Sequence, residues 1–128
     1  MEITVDTHSL VWYADEGLNH RLSKHALHTI EAAEKNGMVY IPVIVMTELM
    51  HLIEKKRVNL DFHDLLGEIE NNSAYRIVSL DTEVLKIAAN IKGQETHDRL
   101  ILATAVHMKT PLVSKDARIS DSSFNVIW

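Results

Sequence analysis

Three observations predict an α/β fold built on a mostly parallel sheet. Segments of strand length recur along the chain, at Ile3–Asp6, Met38–Ile41, Arg76–Leu80 and Pro111–Ser114. Between them lie stretches with apolar residues at helical spacing, such as Val84, Leu85, Ile87, Ala88 and Ile91. The two kinds alternate, the pattern of helices packed on a parallel sheet.

Each element has its own signal. Ile3 to Asp6 reads as a buried first strand, and Thr7 to Ala14 as a short helix with Leu10, Val11 and Tyr13 inward. Ser23 suits an N-cap, with Leu22 and Leu27 as a hydrophobic staple, and its helix runs to about Asn36 before Gly37 stops it. Met38 to Ile41 is the second strand; Pro42 breaks it and opens a helix over Val43–Arg57. Phe62–Glu70 is a further helix, and Asn71-Asn72-Ser73 signals a turn. Arg76–Leu80 is the third strand. Asp81 caps a helix through Ile91 that Gly93 ends. Asp98–Met108 is the last helix, Pro111–Ser114 the fourth strand and Asn125–Trp128 the fifth. There is no repeat, low-complexity segment or linker, so residues 1–128 are expected to form one domain.

The 128 residues are enough for a real core, and 46% hydrophobic residues with four Gly and two Pro argue against disorder. No run of about 18 apolar residues suggests a membrane span. The start, Met1-Glu2-Ile3-Thr4, lacks the basic segment of a secretory signal. The lack of cysteine excludes disulfides and Cys-type zinc sites and fits a cytoplasmic location. The net charge of -5 argues at first against a nucleic-acid partner. Four of the 18 acids form one distinctive set, however, and without them the chain is close to neutral.

Those four are Asp6, Glu48, Asp98 and Asp116. Asp6 closes the run Ile3-Thr4-Val5, and Asp116 follows Leu112-Val113-Ser114. Both stand at carboxyl ends of strands, where open parallel sheets form their sites. Glu48 has Ile44, Val45 and Leu52 as helical neighbours, which puts a carboxylate on a face that should meet the core. Asp98 opens a helix whose next residues, Leu100 to Ala103 and Ala105 to Val106, suggest burial. Each also has an ordinary explanation: Asp6 as an N-cap, Asp116 as a turn or cap residue before Ala117 and Arg118, Glu48 at the edge of its stripe, Asp98 as a first-turn acid. Together they suggest convergence. Converging carboxylates repel one another, and a divalent cation relieves the cost. Hard oxygen donors suit magnesium or manganese rather than zinc, and such a site supports phosphodiester hydrolysis.

The eight histidines form no His-Glu-x-x-His motif, and Glu48 with His51 is a single Glu-x-x-His. Most of them read as surface or packing residues; His8 and His97 lie within two residues of a quartet acid. No serine elbow or Gly-rich phosphate loop is present. Lys55-Lys56-Arg57 reads as a helix C-terminus complementing its dipole, with a phosphate contact as the second reading.

The quartet and its flanks resemble the PIN domain family and, within it, the VapC-like ribonuclease toxins. The residues that carry the resemblance are Asp6-Thr7-His8-Ser9-Leu10-Val11-Trp12, Thr47-Glu48-Leu49, the run from His97-Asp98-Arg99-Leu100 to Ala105, Leu112-Val113-Ser114-Lys115-Asp116 and Val126-Ile127-Trp128. They occur in the family's order along the whole chain. The resemblance implies a three-layer sandwich with a five-stranded parallel sheet. It also implies a Mg2+- or Mn2+-dependent endoribonuclease with Asp6, Glu48, Asp98 and Asp116 as catalytic and metal-holding residues. Ser114 and Arg99 are the implied substrate-binding residues: Ser114 stands where relatives often have a Thr that hydrogen-bonds near the acids, and Arg99 is placed to reach a substrate phosphate or to pair with Glu95. A cognate antitoxin and a homodimer are the expected partners beside RNA, with no membrane. Two other readings stand beside the nuclease: a non-catalytic scaffold of the same fold that binds RNA or protein, and a phosphotransfer or phosphatase α/β domain. His8 counts against the last, because a dehalogenase-type nucleophile wants a second Asp at that position.

Overall fold

The computed structural model describes residues 1–116 and 124–128. Its elements in chain order are β1 (Glu2–Val5), α1 (Thr7–Ala14), a 3-10 helix (Glu16–Arg21), α2 (Lys24–Asn36), β2 (Met38–Pro42) and α3 (Val43–Glu54). They continue with α4 (Phe62–Glu70), β3 (Tyr75–Val78), α5 (Thr82–Ala89), α6 (Thr96–Met108), β4 (Leu112–Val113) and β5 (Val126–Ile127). The five strands form one sheet in the order β3-β2-β1-β4-β5, every pair parallel. Helices pack on this sheet, and the predicted α/β sandwich with a five-stranded parallel sheet is what the chain forms.

The strand order has a consequence for function. The chain builds outward from β1 through β2 to β3, then crosses back so that β4 lies on the other side of β1. The reversal falls between β1 and β4, whose register pairs Thr4 with Leu112 and Val5 with Val113. Beyond that pairing the Asp6 amide still donates to the Val113 carbonyl at 3.3 Å. A crevice opens at such a reversal, because the helices after the two strands leave in different directions.

The core is aliphatic, with Ile3, Val5, Val39, Ile41, Val45, Leu49, Val84, Leu102, Leu112 and Val113 almost fully buried. The buried Thr4 hydroxyl is satisfied by Thr110 at 2.6 Å. Caps fall where the sequence puts them. The Ser23 hydroxyl accepts the Ala26 amide at 2.9 Å, and Asp81 accepts the Val84 amide at 3.1 Å. Gly37, which follows α2, is required for a steric reason: a Cβ there would lie 1.7 Å from the Met1 carbonyl oxygen.

Several boundaries differ from expectation. Helix α3 stops at Glu54 rather than Arg57, because Lys56 turns into the left-handed region (φ 57°). The Arg57 amide then closes on the Leu52 carbonyl at 2.9 Å, which terminates the helix. Helix α5 stops at Ala89 rather than Ile91, and Gly93, at φ 78°, belongs to the turn that follows. Helix α6 starts at Thr96, before Asp98, because the Glu95 side chain caps it by accepting the His97 amide at 3.1 Å. Leu85 and Val106, both expected inward, are 49% and 43% exposed. The 3-10 turn after α1 was not anticipated. Asn19 makes it, donating from Nδ2 to the Trp12 carbonyl at 2.6 Å and so covering the exposed end of α1. The cap expected of Asp116 before Ala117 and Arg118 lies outside the described residues.

Candidate active site

Asp6 is the last residue before α1 and its N-cap: one carboxylate oxygen accepts the Ser9 amide at 2.9 Å. The ordinary reading of this residue is therefore true, yet it leaves the second oxygen for other work. Ser9, fully buried, donates from its hydroxyl to the Val113 carbonyl at 3.1 Å. That bond fastens the start of α1 to β4, so the Asp6 cap is held at the crevice rather than free to swing.

Asp116 is placed by a different device. The Ser114 hydroxyl, 1% exposed, accepts the Asp116 backbone amide at 3.1 Å. Glu48 projects from the middle of α3 and is half-buried. Asp98 is the third residue of α6, in its first turn, where the helix dipole favours an anion.

All four acids line one cavity of about 500 Å³, together with Thr7, His8, Trp12, Ile101 and Lys115. Residues separated by up to 110 positions in the chain thus meet at the carboxyl edge of β1 and β4. A larger cavity, about 790 Å³, lies elsewhere, lined among others by Tyr13, Glu31, Glu34 and Tyr75. It contains none of the four acids.

Glu48 carries the clearest electrostatic signature. Its Oε1 is buried and has no hydrogen-bond partner, and the same holds for Thr7 Oγ1. Burial holds the Glu48 carboxyl above the usual carboxylate range. His97 and the nearby Thr7 hydroxyl oppose the shift, while Asp98 and Glu95 add to it. Thr7 comes near enough to be felt but falls short of hydrogen-bond geometry.

The four carboxylates are hard oxygen donors that fit a hard divalent cation, and one of their oxygens, Glu48 Oε1, is buried and unpartnered. The spacing is less complete. Among the described residues, no three acidic or histidine side chains stand close enough to hold one ion. The cavity therefore has the chemistry of a metal site without its closed geometry.

Arg99 does not line the cavity. Its guanidinium donates from Nε and Nη2 to the Ala88 carbonyl, at 3.3 and 3.1 Å, and so ties α6 to the end of α5. The Glu95 carboxylate stands beside the His97 ring, at 3.9 Å, and not beside the Arg99 guanidinium. Lys55-Lys56-Arg57 ends α3 in the open, away from the cavity. His8 does line it, whereas His97 acts on it only through charge. Thr7, Trp12, Ile101 and Lys115 were not singled out from the sequence. Helical spacing was the available signal for two of them, since Trp12 lies four residues after His8 and Ile101 three after Asp98.

A parallel sheet with its reversal beside β1, and acids from four elements at that crevice, defines a class of α/β domain with an acid-lined cleft. The chain belongs to the PIN domain family, whose model matches residues 3–125. Its fold is similar to that of VapBC2 from Rickettsia felis bound to a promoter DNA fragment, with a TM-score of 0.71 at 15% identity over 98% of this chain and 97% of that one. It is similar also to a toxin–antitoxin complex from Klebsiella pneumoniae, at 0.69 and 17% over 98% and 96%. FitAcB from Neisseria gonorrhoeae gives 0.67 and 20% over 97% and 95%. No curated protein matches the chain. Among the described residues, no helix is long and apolar enough to cross a membrane.

Proposed function

We propose that residues 1–128 act as a single unit, a Mg2+- or Mn2+-dependent endoribonuclease, and that it is the toxin of a toxin–antitoxin pair. The observation that carries this reading is the convergence of Asp6, Glu48, Asp98 and Asp116 on one cavity at the sheet's reversal. These four would hold the metal, which when bound supplies Lewis acidity and makes a water a better nucleophile. Water then attacks phosphorus, the bond to O3′ breaks, and O3′ leaves, taking a proton from solvent to become the 3′-hydroxyl. The proton lost by the water goes to a carboxylate of the cavity. The products are a 5′-phosphate and a 3′-hydroxyl.

Ser114 serves by orienting Asp116, and Arg99 by fixing α6, on which Asp98 rides. The similarity to a toxin–antitoxin complex from Klebsiella pneumoniae supports an antitoxin partner. An acidic cavity suits a cationic plug from such a partner. A homodimer and a cytoplasmic location complete the proposal.

The second reading is a scaffold that binds RNA or protein without cutting. The specific observation in its favour is that no three candidate ligands among the described residues are gathered for one ion. The two are separated by incubating purified protein with a pool of structured RNAs and manganese, magnesium or EDTA, beside Asp98→Asn. Metal-dependent cutting by the wild type alone is the expected result. Products ending in a 2′,3′-cyclic phosphate would mean attack by the RNA's own 2′-hydroxyl, and the hydrolytic mechanism would be wrong.

A further inference from the structure

At the rim of the acidic cavity stands a cluster that the four carboxylates do not use. Lys115, exposed, holds its Nζ over the Trp12 ring, 5.8 Å from the ring centroid. His8, one helical turn before Trp12, lies 5.5 Å from the same ring at a tilt of 42°. Trp128 meets it edge-on at 6.0 Å. His8, Trp12 and Lys115 all line the cavity. Lys115 is the only Lys or Arg among the described residues that does so.

This arrangement answers a problem set by the cavity itself. A polyanion approaching four carboxylates is repelled, and a metal offsets only part of that charge. A fixed cation at the rim gives the strand a first point of attachment. Free lysine side chains are poor at this, since ordering one costs rotamer freedom. The indole face beneath Lys115 restricts the side chain in advance, through a cation–π contact. The ring serves as a support and not as a stacking platform, because Lys115, His8 and Trp128 already surround it. A cavity of about 500 Å³ is in the range of small-ligand sites and is too small to enclose a duplex.

We propose that Lys115 binds a backbone phosphate of single-stranded RNA beside the acidic cavity, with Trp12 as the residue that positions it. This rests on the nuclease reading for its substrate class, but its test does not require cutting. A fluorescein-labelled single-stranded oligoribonucleotide is titrated with protein in the Asp98→Asn background, over a series of salt concentrations. Lys115→Gln is expected to weaken binding by about three- to tenfold. It should also flatten the slope of log K against log salt by about 0.7, the loss of one phosphate contact to a single strand. Lys115→Arg keeps the slope. Trp12→Leu weakens binding by a smaller factor and keeps the slope, because the charge remains. Both tryptophans of the chain stand in this cluster, so their emission should change as RNA binds.

An unchanged affinity and slope in Lys115→Gln overturns the proposal. So does failure of the protein to bind the strand at all. A larger loss in Trp12→Leu than in Lys115→Gln, with the slope intact, overturns it in favour of a base stacked on the ring. Failure of the nuclease reading is seen separately, as absence of cutting by the wild type while the Lys115 effect on binding persists.

Discussion

Ser114 Oγ accepts the backbone amide of Asp116 at 3.1 Å, a bond that ties the backbone of an acid at the cavity to the buried residue just after β4. The hydroxyl is almost fully buried, so water cannot take its place cheaply. A hydrogen bond of this kind is worth about 0.5–1.5 kcal/mol. If the bond matters only for aiming Asp116, Ser114→Ala should cut the cleavage rate by up to about tenfold. Ser114→Thr keeps the hydroxyl and should keep most of the rate. Equal rates in wild type and Ser114→Ala would remove Ser114 from the site.

Asp98→Asn should abolish metal-dependent cleavage, with a loss of about 100-fold or more, while the melting temperature stays within a few degrees of the wild type. The substitution removes a charge at nearly constant volume from a half-buried first-turn position. Residual activity near that of the wild type would take Asp98 out of the metal-holding set.

Glu48 predicts a pH dependence of stability whose sign is set by burial. Its carboxyl binds a proton more tightly folded than unfolded. Below the ordinary carboxylate range both states are protonated, and its contribution to stability is fully present. As pH rises through the ordinary value toward the raised one, the unfolded chain loses the proton first and that contribution is lost. In EDTA, Glu48→Gln should therefore gain in melting temperature over the wild type from about pH 4 to pH 7. Manganese should raise the wild type more than the variant. A difference that does not vary with pH would show that Glu48 is not held in an environment hostile to its charge.

Two glycines predict opposite effects on stability. Gly37→Ala drives a Cβ into the Met1 backbone, whose carbonyl accepts the Met38 amide at 3.1 Å where β1 and β2 begin to pair. The strand end must shift, at a cost of about 3 kcal/mol. Gly67→Ala meets open space on α4 and should stabilise by about 0.5–1 kcal/mol, through helix propensity. Denaturant unfolding of the two variants reads both effects; equal stabilities would contradict the packing at Met1.

Much of this protein is legible one residue at a time. The Asp6 and Asp81 caps, the Ser23 cap and the exact span of α4 follow from short-range signals, since a cap or an amphipathic face depends on neighbours within a turn. The acids stood out for the same reason: each broke a local pattern, as Glu48 does on the apolar face of α3. Where expectation missed, a contact across elements or a backbone turn had overridden local preference. Lys56 in a left-handed turn shortens α3, and the Glu95 side chain starts α6 early.

The sequence by itself determined the alternation of strands and helices and the four acids worth watching, because periodicity and capping are local. Only the tertiary structure decided which side of β1 receives β4, and hence that residues as far apart as Asp6 and Asp116 share one cavity. It alone turned Arg99 from a candidate phosphate contact into a tie on the Ala88 carbonyl, and set Lys115 over Trp12. Those outcomes depend on strand order and on packing between distant segments. Neither leaves a trace in the spacing of residues along the chain.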